Sequence, residues 1–128
     1  MAGKWLLDST VVVDLFRGDD GIAERIRETD VAITLVVLGE LLYGSNKSQR
    51  QAQNQDQLEA FVEDCEMLVL TRTTSRHYGE LKLGQHHIGK MIPDNDLWIA
   101  ASAREHGLRL AHRDNHFPMI PDFDQKRW

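Results

Sequence analysis

Four short apolar runs constrain this chain more than any other feature. They are Trp5-Leu6-Leu7, Val31-Ala32-Ile33, Met67 to Leu70 and Leu108 to Ala111. Each is too short for a helix; the continuous run Trp5-Leu6-Leu7 reads as a buried strand, and the other three, including Leu108 to Ala111 with Arg109 inside it, read as further short strands. A weaker fifth strand is expected at Phe117 to Ile120. Between the runs, apolar residues fall at helical spacing. Ser9 or Thr10 caps a short helix that Gly18 ends, although its β-branched Val11-Val12-Val13 is equally compatible with strand. Ile22, Ala23 and Ile26 mark a helix to Glu28. Thr34 caps a helix from Leu35 to Tyr43 that Gly44 closes. Ser45 to Gln57 reads as a polar surface turn leading into a helix, with Leu58, Phe61 and Val62 on its apolar side and its end near Asp64. Thr74 to about Leu83 is helical, with Tyr78 and Leu81 facing inward. Pro93 to Asn95 opens a last helix that runs to His106 and stops at Gly107.

Short buried strands alternating with helices predict a parallel α/β sheet covered on both faces. At 128 residues with no internal repeat, the expectation is one domain over residues 1–128. Cys65 is the only cysteine, so no internal disulfide forms. Val31 to Gly39 is about half the length of a membrane span. Met1 to Trp5 leads into the first strand without the apolar core of a signal peptide. The expected setting is soluble and cytoplasmic, with no membrane partner.

Twenty acids against fifteen Lys plus Arg give a net charge of −5, which argues against a simple electrostatic nucleic-acid binder. The charges are unevenly placed. Residues 71–92 carry Arg72, Arg76, Lys82 and Lys90 against Glu80 alone. This segment is either a solvated helix face or an anion-binding rim.

In parallel sheets, ligands bind beyond the carboxyl ends of the strands. Asp8 directly follows the first strand. Glu40 lies less than two turns into the helix after the second. Asp96 sits in the first turn of the helix before the fourth, and Asp114 lies just beyond that strand. Four carboxylates at one edge repel and raise their own pKa values, and a divalent cation relieves this. Oxygen ligands without thiolates suit Mg²⁺, with Mn²⁺ as a substitute. Asp94 reads as a helix cap, and Arg113-Asp114-Asn115 is also good turn chemistry. His86 and His87 are not expected to bind metal, because adjacent helical residues diverge. His112 and His116 flank Asp114 and read as turn surface, with substrate contact as the alternative. Cys65, between Asp64 and Glu66, is not expected to be nucleophilic.

Leu6-Leu7-Asp8-Ser9-Thr10 through Arg17-Gly18 resembles the opening motif of PIN-domain ribonucleases, specifically the VapC-type toxins of toxin–antitoxin pairs. Ile33-Thr34 through Gly39-Glu40-Leu41-Leu42-Tyr43-Gly44 is similar to their second motif. Ile92-Pro93-Asp94-Asn95-Asp96 through Ala101 is similar to the third, and Ala111-His112-Arg113-Asp114 through Phe117 to the fourth. The resemblance runs through nearly the whole chain in order. It implies a PIN-like three-layer sandwich, a central parallel sheet of four to five strands flanked by helices. It implies a metal-dependent endoribonuclease with Asp8, Glu40, Asp96 and Asp114 as the acidic metal site, and Ser9 and Thr10 as hydroxyl neighbours of the first acid. His112 stands where many relatives have Thr. RNA would be held by Arg72, Arg76, Lys82, Lys90 and Arg113. A small antitoxin would lay a helix or extended segment into an apolar groove, with a basic side chain near the acids. A homodimer is also implied, through the Leu35–Tyr43 helix, the Asp96–His106 helix with Ala100 and Ala103, or Trp128. Whether Asp14 or Asp94 assists the site stays open. Two other acidic α/β enzymes fit poorly. Leu70-Thr71-Arg72 lacks the phosphoacceptor Asp of a receiver domain, and Thr10 replaces the second Asp of a haloacid-dehalogenase-type phosphatase. The remaining alternative is a non-catalytic acidic module that binds metal or a partner.

Overall fold

The computed structural model describes residues 4–128. Strands β1 (Trp5–Leu7), β2 (Val31–Thr34), β3 (Glu66–Leu68), β4 (Arg109–His112) and β5 (Gln125–Arg127) form one sheet in the order β3-β2-β1-β4-β5. Every pairing is parallel. Among the described residues, six α-helices flank it: α1 (Ser9–Phe16), α2 (Asp20–Glu28), α3 (Leu35–Asn46), α4 (Gln51–Glu63), α5 (Arg72–His87) and α6 (Asp94–His106). This is the PIN-like α/β sandwich expected above. Leu6 and Leu7 of the central strand, Ile33, Leu110 and, from α6, Leu97 and Ile99 have no exposed surface. Ala100, Ala101 and Ala103 are equally buried, which lets α6 lie close to its neighbours. Among the described residues, no helix is long and apolar enough to cross a membrane.

The fifth strand differs from expectation. Phe117–Met119 is a single 3₁₀ turn, because Pro118 fixes φ and lacks the N–H a ladder needs. The strand instead is Gln125-Lys126-Arg127, at the sheet edge where charged side chains are tolerated. The opposite edge strand, β3, stops at Leu68, leaving Val69 and Leu70 exposed. β4 lies one residue later than expected and takes in His112.

Helix ends differ for local reasons. Asp8, not Ser9 or Thr10, caps α1. Helix α3 runs through Gly44 to Asn46, so that glycine does not close it. Helix α5 is longer at both ends. Thr71 and Thr74 form a reciprocal capping box at its start, and both hydroxyls donate to the Glu105 carboxylate. Packing on α6, including the stacked Tyr78 and Trp98 rings 4.0 Å apart, overrides the low helix propensity of Gly79 and Gly84. Helix α6 ends as expected, with Gly107 left-handed at φ 63°.

Candidate active site

Each acid reaches the carboxyl edge of the sheet by a different element. Asp8 leaves β1 and is 1% exposed. Its N–H donates to the Ala111 carbonyl at 2.9 Å, tying it to β4. Its Oδ2 accepts the Thr10 hydroxyl at 2.5 Å and the Thr10 backbone N–H at 3.3 Å. The Thr10 hydroxyl in turn accepts the Arg113 N–H at 3.0 Å, so one threonine links the first acid to the loop bearing the fourth. Asp96 is buried in the first turn of α6. Asp114 follows β4, and its Oδ1 accepts the His116 backbone N–H at 2.9 Å. The His116 Nδ1 lies 2.9 Å from Asp96 Oδ2 and 3.1 Å from Asp114 Oδ1. Asp96, Asp114 and His116 each offer a ligand atom within 4.8 Å of the others. Glu40 points inward from α3, and its Oε1 is buried without a hydrogen-bond partner.

The electrostatics bind these groups into one site. Burial pushes the Asp8 carboxyl up against the lowering effect of its Thr10 bonds, and Asp114 adds to the rise. Asp96 is pushed up to about 6, first by burial, then by Asp114 and Asp8. Glu40 is raised by burial, then by Asp8 and Asp96, with Ser9 and Asn95 acting the other way. Each of these acids feels at least one other, which is the repulsion expected of carboxylates gathered at a strand edge.

The remaining candidates divide. Arg113 is largely committed: its guanidinium pairs with Asp14 at 2.9 Å and Asp19 at 2.8 Å, and its Nε donates to the Trp128 carbonyl at 2.7 Å. Asp14 therefore serves this clamp. Asp94 does not cap α6, whose cap position is Pro93; its carboxylate accepts Tyr78 Oη and Lys82 Nζ instead. Arg72 and Arg76 lie in the first turns of α5, whose Thr71 meets Glu105. Glu105 is at the far end of α6 from Asp96, about 13 Å along the axis. The fold does not bring these two arginines to the carboxylates. Lys90 is exposed in the α5–α6 connection. His86 and His87 are exposed and join no ligand cluster among the described residues. Burial, then Asp64, pushes the Cys65 thiol up to about 11, so it is inert near neutrality.

Two histidines depart from the turn-surface expectation. His116 bridges two of the acids. His112 is buried at the end of β4, and burial lowers its pKa. Its Nδ1 accepts the Asp114 N–H at 3.2 Å and its Nε2 donates to Gln125 Oε1 at 2.9 Å, so the neutral Nε2–H tautomer fits both bonds. Gln125 then donates to the Phe117 carbonyl at 2.8 Å. This relay joins β5 to the Asp114 loop. The one sequence signal for it is the His between an apolar strand and Arg-Asp.

The residues suit a divalent cation: a carboxylate oxygen is buried without a donor, and the nearby groups are further carboxylates and an imidazole. Beside the acids, a groove of about 510 Å³ runs between α1, α3 and α4, lined by Ser9, Phe16, Glu40, Leu41, Lys47 and Leu58.

Fold and site together define an α/β domain with an acidic centre at the carboxyl edge of a parallel sheet. The chain belongs to the PIN domain family, whose family model matches residues 5–122, and within it to the VapC group. It is 32% identical over 103 residues to Ribonuclease VapC2 of Rickettsia felis, covering 80% of this chain and 77% of that one. It is 28% identical to the tRNA(fMet)-specific endonuclease VapC of Shigella flexneri, covering 82% of each. The crystal structure of VapBC2 from Rickettsia felis, bound to a DNA fragment from their promoter, superposes with a TM-score of 0.90 over 98% of both chains at 27% identity.

Proposed function

We propose that this chain is a divalent-metal-dependent endoribonuclease, Mg²⁺ being its ordinary ion and Mn²⁺ a substitute, and the toxin of a toxin–antitoxin pair. The observation that carries this reading is the convergence of Asp8, Glu40, Asp96 and Asp114 on one electrostatically coupled site within a PIN domain. Asp8, Asp96 and Asp114 hold the ion. When bound, it lowers the pKa of water and neutralises phosphate charge. Glu40, with its raised pKa and unpartnered oxygen, orients the attacking water and takes its proton. Thr10 holds Asp8 in place, and His112 holds the Asp114 backbone. The unit spans residues 1–128 and acts on cytoplasmic RNA.

A Mg²⁺-dependent cleavage assay on folded RNAs tests this. The control is Asp8→Asn, not Asp8→Ala. Alanine would also remove the cap of α1, at about 1 kcal/mol, and so confuse stability with chemistry. Asn keeps an oxygen for Thr10. The expected loss is on the order of 10²–10³-fold. Activity equal to wild type would leave the non-catalytic acidic module as the reading.

The groove beside Glu40 supports the antitoxin: Val13, Phe16, Leu41 and Leu58 among its mixed lining take the apolar side chains of a helix or extended segment, and a basic side chain from that segment reaches Glu40. For a homodimer, α3 is the favoured surface, because Leu35 and Tyr43 are 42% and 67% exposed. Ala100 and Ala103 of α6 are in the core and cannot serve it. Trp128 packs against Trp5 and Arg25.

RNA is held by Lys82, which also pairs with Asp94 two residues before Asp96, by the exposed Lys90, by Arg113 where its clamp leaves a donor, and by Arg72 and Arg76 in the first turns of α5. Replacing Arg72 and Arg76 by Ala should flatten the log–log salt dependence of binding to a folded RNA by about 1–2. An unchanged slope would make that end of α5 a solvated face.

A further inference from the structure

The acids account for an ion held by oxygen. They do not account for His116, whose Nδ1 sits between two of them rather than on the turn surface. Its position is fixed from both sides: its N–H is bound to Asp114 Oδ1, and the next residue, Phe117, is fully buried. The spacings of Nδ1 from Asp96 Oδ2 and Asp114 Oδ1 are 2.9 and 3.1 Å. Neighbouring ligands in an octahedron with bonds of about 2.1 Å are separated by about 3 Å. The imidazole thus occupies a ligand position relative to both carboxylates. In the ion-free chain Nδ1–H donates to these oxygens; an ion that displaces this proton, with the other held on Nε2, would meet the Nδ1 lone pair from the same side as the carboxylate oxygens.

We propose that His116 is a direct nitrogen ligand of the catalytic ion, making the donor set mixed and ranking Mn²⁺ and later transition ions above Mg²⁺ in affinity, while the abundance of Mg²⁺ keeps it the ordinary ion. The inference rests on the metal-dependent reading above. An all-oxygen site favours hard ions and discriminates weakly among them. One imidazole raises affinity along the transition series and does little for Mg²⁺, which is reluctant to exchange water for nitrogen.

The test uses the full chain and Mn²⁺ alone as probe. Pulsed electron paramagnetic resonance of bound Mn²⁺ should show ¹⁴N modulation in the wild type and none in His116→Ala. Calorimetry should show Mn²⁺ affinity falling about tenfold in His116→Ala and Mg²⁺ affinity changing less than about threefold. Should His116→Ala fail to fold, the wild-type spectrum alone decides. Mn²⁺ bound in an Asp8-dependent way without nitrogen coupling would overturn this inference and leave the proposed function standing. No Mn²⁺ binding at all would overturn both.

Discussion

Asp96→Asn is expected to abolish cleavage and, in the absence of divalent cations at pH 7, to raise the melting temperature. The two effects have one cause. The Asp96 carboxyl is pushed from 3.8 up to about 6 by burial and by Asp114 and Asp8. Between those two values the folded chain holds a proton that the unfolded chain has released. Stability therefore falls as pH rises through that window, and the full cost is present above it. A shift of this size, which already includes the lowering effect of His116, corresponds to about 2–3 kcal/mol. Asn is uncharged and close in shape, so it removes the cost. A gain of about 2 kcal/mol would lift the melting temperature by roughly 5–10 °C in a chain of this size. Below pH 4 both chains carry a neutral group at this position and the difference should vanish. Mg²⁺ should raise the wild-type melting temperature at pH 7 and move Asp96→Asn far less. A variant that melts below wild type at pH 7 would show that Asp96 is not strained by its neighbours. The gain in stability with loss of activity is the usual sign that a charged site is retained for chemistry rather than for folding.

What could be read from the residues, and what could not, follows from the range of the forces involved. The apolar runs at residues 5–7 and 31–33 announce their strands because burial on both faces leaves a composition signal. Gln125-Lys126-Arg127 leaves none, since an edge strand needs only backbone partners, here Leu110 to His112. The four acids were legible as a group because each follows a strand or opens a helix, and topology alone sends those positions to one edge. Their neighbours were not. The link from Thr10 to Arg113 spans 103 residues, and the His116 contact to Asp96 spans 20. No local pattern predicts such contacts. The basic segment shows the opposite failure. Arg72 and Lys90 look like one patch in sequence, yet a 16-residue helix carries its two ends far apart. Arg113 reads as a phosphate contact beside the site, and most of its guanidinium is engaged by Asp14, Asp19 and Trp128, which no local pattern announces.

Phe117→Ala should be the most destabilising single substitution near the site. Phe117 is fully buried, and its ring packs 5.2 Å from that of His112. Its carbonyl is the end of the relay from His112 through Gln125. Truncating a buried phenylalanine costs about 3–5 kcal/mol, against typical domain stabilities of about 5–15. The expected drop in melting temperature is roughly 10–20 °C. Denaturant unfolding should show a lower midpoint at unchanged slope, since the same surface is exposed. The chain that remains folded should also lose metal affinity, because residues 113–116 carry Asp114 and His116 and Phe117 is their apolar anchor. Phe117→Leu refills most of the volume and should recover most of both losses. Metal affinity that stays at the wild-type value in folded Phe117→Ala would mean the loop is held by its hydrogen bonds alone. The backbone bonds of Asp114 and His116 would then suffice without the core beneath them.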